Sequence, residues 1–284
     1  MTGAVDAPEV VRRRPGRRVP PLGTAVAGIV FAAILVAAVA PGLLAGSPDA
    51  IDPAVALHAP GGAHPFGTDW LGRDVYARVV HGARTTLLIG IGSTVLACVT
   101  GAVWGLVAAL GGRVVDQIAM RVADVFLSFP AILMALLVVA VLGPGTVNVT
   151  IAVTVALAPG FARIVRIRTH LVRQFAYVRA ALDQGIAPWR VAWRHIAPNV
   201  LLPIGVLVVI NIGTAIIIGS SLSFLGLGPE NAVPDWGSML AQSRNYLSAA
   251  WTLAVFPGLA VTATVLSISV LGRGLRVRTE EGPR

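Results

Sequence analysis

Few side chains in this 284-residue chain are placed to do covalent chemistry. There is no lysine, and all 22 basic residues are arginine. A phosphate-cradling G-x-x-x-x-G-K-[ST] loop needs its lysine at the phosphates, so nucleotide hydrolysis by that route is excluded. The five histidines, His58, His64, His81, His170 and His195, are scattered, and no H-E-x-x-H sets two of them on one helix face. Cys98 is the only cysteine and sits within an apolar run, where it reads as a small hydrophobe. Ser220-Ser221 has no accompanying base and reads as helix packing, not as a nucleophile. What remains is ionic. Asp124 follows Arg121 by three residues inside an apolar stretch, and an ionisable group within a membrane segment is expensive enough to suggest a function. Two readings stay open there: a proton-carrying site, or a local Arg121–Asp124 pair.

The most unusual stretch is 163–199. Arg163, Arg166, Arg168 and Arg173 extend an apolar helix into a polar region. Next comes Tyr177-Val178-Arg179-Ala180-Ala181-Leu182-Asp183-Gln184-Gly185, then Pro188-Trp189-Arg190-Val191-Ala192-Trp193-Arg194-His195, then Pro198-Asn199. The pattern predicts two short helices about a Gly185 turn with φ > 0, Pro188 opening the second and Pro198-Asn199 ending it. A short helix presenting Trp189, Trp193 and arginines suits a protein-docking surface, because these side chains dominate interface energetics. An amphipathic helix on anionic lipid has the same composition.

The elements that must carry these residues are membrane-length. Hydrophobic residues make up 56% of the chain and charged ones only 12%, about half the charge of an average soluble domain. The net charge of +9 would suit nucleic acid, but so sparse a total charge points to arginine-bearing loops of a membrane protein. Apolar runs are predicted as spans at 22–45, 86–110, 118–142, 147–165, 200–222 and 251–271. Ala38-Val39-Ala40 resembles a cleavage site, yet the first apolar run is too long for a signal peptide and is taken as a retained span. Counted over alternate sides, the arginines divide 18 to 4, which predicts both termini in the cytoplasm. The expected architecture is all-α with six transmembrane helices. It comprises a basic tail over 1–21, a first helix over 22–45, an extracytoplasmic segment over 46–85, a five-helix core over 86–272 and a tail over 273–284. Val75 and Val79 share a face and Asp74 precedes Arg78 at i,i+4, so an interfacial helix is expected within 46–85. Residues 223–250, with Gly226, Gly228, Pro229 and Pro234, are expected to form a structured loop.

Within 166–199 the sequence resembles the coupling motif of ABC importer permeases: an E-A-A triplet, a glycine four residues later, a histidine and a P-N pair. Ala180, Ala181, Gly185, His195, Pro198 and Asn199 match in order, while Arg179 stands where the motif has glutamate. His64-Pro65-Phe66-Gly67-Thr68-Asp69, Leu71-Gly72-Arg73-Asp74 and Gly82-Ala83-Arg84 resemble C-type permeases of dipeptide, oligopeptide and nickel importers. So do Asp124 with Phe129-Pro130, Ser223-Phe224-Leu225-Gly226-Leu227-Gly228, Trp236-Gly237-Ser238-Met239-Leu240 and Phe256-Pro257-Gly258. Near the C-terminus, Arg273 stands where that family has aspartate. The resemblance implies a type I importer permease of the cell membrane, for di- or oligopeptides, with nickel or another small solute as the alternative. It implies a homologous second permease, one or two ATPase subunits that bind ATP and magnesium, an extracytoplasmic binding protein, and no cofactor or metal of the chain's own. A proton-coupled carrier using Asp124 is the competing class.

Overall fold

The computed structural model describes residues 21–229 and 233–280, so the basic tail expected over 1–21 lies, but for Pro21, outside the described residues. The described elements are α1 (Pro21–Val39), α2 (Val75–Leu110), α3 (Arg113–Leu127), α4 (Ala131–Leu142), α5 (Thr146–Arg173), α6 (Ala176–Asp183), α7 (Pro188–Val191), α8 (Ala197–Leu201), α9 (Gly205–Phe224), α10 (Trp236–Ser243) and α11 (Thr252–Glu280). Among the described residues the only β pairing is an isolated bridge between Thr68 and Asp74.

Five helices are long and apolar enough to cross a membrane: α1, α2, α5, α9 and most of α11. The third expected span is not one helix. α3 and α4 meet at a bend of 92°, and together they bring the number of crossings to six only as one broken span. Pro130 supplies no N–H and disfavours helix at Phe129 before it, so the ladder stops at Ser128 and restarts at Ala131. Prolines 159 and 257 lie inside α5 and α11 without ending them.

α2 is the central element, packed against α5 and α9. Glycines make the α2–α5 contact: a Cβ on Gly101 would lie 2.5 Å from the Phe161 Cβ, and one on Gly105 would lie 2.4 Å from the Ala162 carbonyl oxygen. Small residues let helix backbones approach closely where lipid supplies no hydrophobic drive for association. α2 has 36 residues, about 54 Å at 1.5 Å per residue, well beyond a hydrocarbon core of about 30 Å. It therefore protrudes, and its ends define the two ends of the molecule. The Arg173 guanidinium donates to the Ala109 carbonyl at 2.8 Å, bringing the C-terminal ends of α2 and α5 together.

At the opposite end the expected interfacial helix is absent. Residues 46–74 carry one 3₁₀ turn, Pro53–Val55, and Val75 and Val79 belong to the first turns of the unbroken α2. Asp74 does not pair with Arg78. Its carboxylate caps α2, accepting from the Tyr76 and Ala77 N–H groups at 2.7 and 3.2 Å, and His64 lies 3.1 Å away. Arg78 is buried and faces Asp69. The segment folds onto α10 and α11. Phe66 stacks on Phe256 with ring centroids 3.7 Å apart, Trp70 stacks on Tyr246 at 5.4 Å, and the buried Trp236 indole donates to the Val79 carbonyl at 2.8 Å. The structured loop expected over 223–250 holds α10. The tail expected from 273 is helical as far as Glu280, and residues 281–284 lie outside the described set.

Candidate functional site

α6, α7 and α8 sit at the end where α2 and α5 close, and the order of turns in this segment follows from its sequence. Gly185 has φ +77°. Its N–H donates to the Leu182 carbonyl at 2.9 Å and the Ile186 N–H to the Ala181 carbonyl at 3.2 Å, a Schellman closure that satisfies the last carbonyls of α6. Pro188 then opens α7, where a missing N–H is harmless. The expected stop at Pro198-Asn199 does not occur. The backbone widens into a π-turn over Ala192–Ile196 and continues through α8 and a 3₁₀ turn into α9. Pro198 cannot donate to the carbonyl four residues back, and the Asn199 amide instead donates to the His195 carbonyl at 2.7 Å. The proline redirects the helix without ending it.

This segment has one buried side and one bare side. Val178, Ala181, Val191, Ile196 and Val200 join Val165 and Val172 of α5 in one core cluster. Trp189 and Trp193 are 67% and 73% exposed, with the Arg190 guanidinium 5.4 Å from the Trp189 ring. Arg179, Ala180, Arg194, Pro198 and Asn199 are also exposed, and His195 is half-buried 6.2 Å from Tyr177, ring to ring. A groove of about 680 Å³, mainly apolar, runs between the tryptophans and the rest of the bundle, walled by Leu110, Leu182, Pro188, Val191 and Ile196. The motif residues thus divide: Ala181 and Gly185 build the turn, while Trp189, Trp193 and the arginines face outward.

The polar pair expected between Arg121 and Asp124 is not formed. Asp124 pairs with Arg163 of α5, with both side chains half-exposed. A second pair, absent from the sequence-based expectation, joins Asp116 to Arg166 in a two-pronged contact with Nη2–Oδ2 at 2.6 Å, and His170 stands 3.8 Å from the same carboxylate. The available signal was the i,i+3 repeat of Arg163 and Arg166 facing two aspartates eight residues apart. Asp124 thus has its partner on α5 and not on its own helix.

At the far end the buried Asp69 accepts from the Leu71 and Arg73 N–H groups at 2.9 and 3.0 Å and from the buried Arg73 guanidinium at 2.6 Å. Gly72 permits this turn: its φ is +76°, and a Cβ there would lie 1.8 Å from the Asp52 carbonyl oxygen. Asp235 is buried and caps α10, accepting from the Gly237 and Ser238 N–H groups at 2.9 and 3.2 Å. Burial pushes its carboxyl pKa up, and those hydrogen bonds act in the opposite sense.

Residues 101–280 match the family described as binding-protein-dependent transport system inner membrane component. Among curated relatives, the dipeptide transport system permease protein DppC of Alkalihalophilus pseudofirmus is 40% identical over 249 residues, 87% of this chain and 82% of the relative. The glutathione transport system permease protein GsiD of Pectobacterium atrosepticum is 42% identical over 217 residues, 76% of this chain and 72% of the relative. The probable D,D-dipeptide transport system permease protein DdpC of Escherichia coli is 36% identical over 257 residues, 90% of this chain and 86% of the relative.

Proposed function

Because this chain belongs to the family of binding-protein-dependent transport system inner membrane components, a family of multi-pass cell-membrane permeases, we propose that it forms the pathway of an ATP-driven importer of di- or oligopeptides. A second, homologous permease completes the pathway, a binding protein delivers peptide from outside, and two cytoplasmic ATPase domains supply the drive. Both termini and the 176–199 segment face the cytoplasm in this reading, and residues 46–74 face outward. Peptide as the substrate class rests on the names of the relatives, which are peptide and glutathione permeases.

The observation that carries the coupling role is the pairing of bare tryptophans with a rigid mount. Trp189 and Trp193 are exposed beside a groove, while Val191 and Ile196 on the same turns are fully packed into the core. Helical backbone then runs from Pro188 into α9 with no flexible linker. A force applied at the tryptophans would move α9 and, through the shared core cluster, α5. ATP-driven closure of the ATPases would use that connection to switch the pathway between its outward-facing and inward-facing states.

Gly185→Trp tests this reading. Its φ of +77° is costly for any residue with a β-carbon, about 1–2 kcal/mol, and the position has open space around it in the single chain. A side chain there starts into open space and would meet a partner docking from outside. The chain should still insert, while co-purification with the ATPases and peptide uptake fall together. Normal uptake and normal co-purification would refute the coupling role and favour a segment lying on lipid.

A further inference from the structure

The break between α3 and α4 is a weak point in a membrane protein, and its surroundings suggest why it exists. α4 has 12 residues, about 18 Å, which cannot cross a hydrocarbon core of about 30 Å. Where α3 and α4 together make one broken span, Ser128–Pro130 therefore lies between the two membrane surfaces. Non-helical backbone at that depth survives only under protein or beside water. Here it is bare, with Phe129 53% exposed and Ser128 and Pro130 exposed beside it. The neighbouring Asp124–Arg163 pair is half-exposed as well, at 47% and 48%, and an ion pair in a spanning region faces a water-filled space or another protein surface, not acyl chains. Both features turn this side of α3 toward the pathway or the second permease that completes it.

The charges on that wall do not balance. Asp116 is engaged by Arg166 through both carboxylate oxygens, and Asp124 by Arg163. Arg121, on the same stretch of α3, is exposed and has no hydrogen-bond or ion-pair partner among the described residues. It lines a cleft of about 590 Å³ with Asp116, Gln117, Met120, Asp124 and Arg166, a volume typical of small-molecule sites. A free guanidinium in such a cleft matches a carboxylate in a two-pronged geometry. Resting on the reading of the chain as a peptide importer, we propose that this cleft is a subsite for the carboxylate of the peptide in transit, with Arg121 as its cation.

The test uses the assembled transporter, with its ATPases and binding protein, in proteoliposomes. Uptake of dialanine and of its C-terminal amide is compared for the native chain, Arg121→Gln and Arg121→Lys at saturating binding protein. Arg121→Gln should lower the maximal rate for the free acid at least tenfold and leave the amide within twofold, while Arg121→Lys, which keeps the charge but not the fork, should fall between native and Arg121→Gln. An equal effect on acid and amide, or no effect, would overturn the subsite. A loss blind to the carboxylate but dependent on phosphatidylglycerol content would overturn it in favour of a lipid headgroup. A native transporter that hydrolyses ATP but moves no peptide would instead refute the peptide reading itself. A second measurement does not depend on which peptides the binding protein admits. Phe129→Cys in a Cys98→Ala chain, assembled in nanodiscs, should react with a water-soluble sulfonate thiol reagent and be protected at least threefold by saturating dialanine. No reaction at 129 would place the break outside the aqueous pathway and overturn the proposal.

Discussion

The two ends of this molecule are built to different standards of completion. At the end carrying residues 64–74, Asp69 is enclosed by backbone N–H groups and two arginines, aromatic rings stack across three chain segments, and Trp236 is buried with its indole N–H bonded. At the end carrying 176–199, two tryptophans, three arginines and the wall of a groove are bare, although the backbone beneath them is closed by a Schellman turn and anchored by packed valines and isoleucine. Buried rings and enclosed carboxylates mark a surface largely finished within one chain, with the Arg78 Nη1 the buried donor left without a partner there. Ordered backbone under unsatisfied apolar side chains marks a surface prepared for another chain, since tryptophan and arginine are the side chains that dominate binding energy once desolvated. Mutations at the first end should therefore act on stability, and those at the second on assembly and activity.

The largest expected effect tests the first half of that contrast. Asp69→Ala would leave the buried Arg73 and Arg78 without their carboxylate, and breaking a buried ion pair from one side typically costs about 3–5 kcal/mol. The variant should accumulate poorly and, if purified, melt well below the native chain by scanning fluorimetry. An unchanged melting temperature would mean that this end is not self-sufficient. Gly72→Val should fail similarly, because its Cβ would meet backbone and not a movable side chain.

Next in size is the effect at the other end. Removing one interface tryptophan typically costs about 2 kcal/mol or more, and each 1.4 kcal/mol is about tenfold in affinity. Trp189→Ala and Trp193→Ala should each weaken ATPase association by at least tenfold in co-purification titrations. Neither should lower the melting point of the isolated chain. A large stability loss without an assembly loss would reverse the contrast.

How much of this was legible beforehand depends on the range of each determinant. Spans were readable because a membrane imposes a minimum apolar length, and the Gly185 turn because positive φ selects glycine. The 92° bend was hidden: averaging hydropathy across Phe129-Pro130 joins two helices, and prolines 159 and 257 sit in unbroken helices. Only tertiary context separates a proline that breaks from one that is tolerated. The partners of Asp124 and Asp116 lie 39 and 50 residues away, whereas spacing along its own helix offered Asp124 only Arg121. For Asp74, the backbone donors of a helix start outcompeted the side chain at i+4. The coupling segment was legible in composition and turn chemistry, but the π-turn before Pro198 was not.

Between the two ends, the α3–α5 ion pairs allow a smaller test. Asp124→Arg should reduce uptake by placing two guanidiniums together, and Arg163→Asp in the same chain should restore much of it. Failure of the reversed pair to recover would show that Asp124 acts through something other than Arg163. The smallest effect concerns Asp235. Because burial raises its folded-state pKa above the unfolded value, its contribution is fully present below the unfolded pKa and is lost as pH rises through the folded one. Asparagine caps a helix about as well as aspartate, so Asp235→Asn should flatten that decline in melting temperature while leaving uptake unchanged.

The most direct test of the central claim is binding-protein-stimulated ATP hydrolysis in the assembled transporter, measured for the Trp189→Ala/Trp193→Ala double variant alongside the melting temperature of the isolated chain. If the exposed tryptophans are the docking surface of a finished lever, stimulation should fall at least tenfold while the melting temperature stays within about 2 °C of native, less than the shift that about 1 kcal/mol produces in a domain of this class. Full stimulation in the double variant would contradict the account.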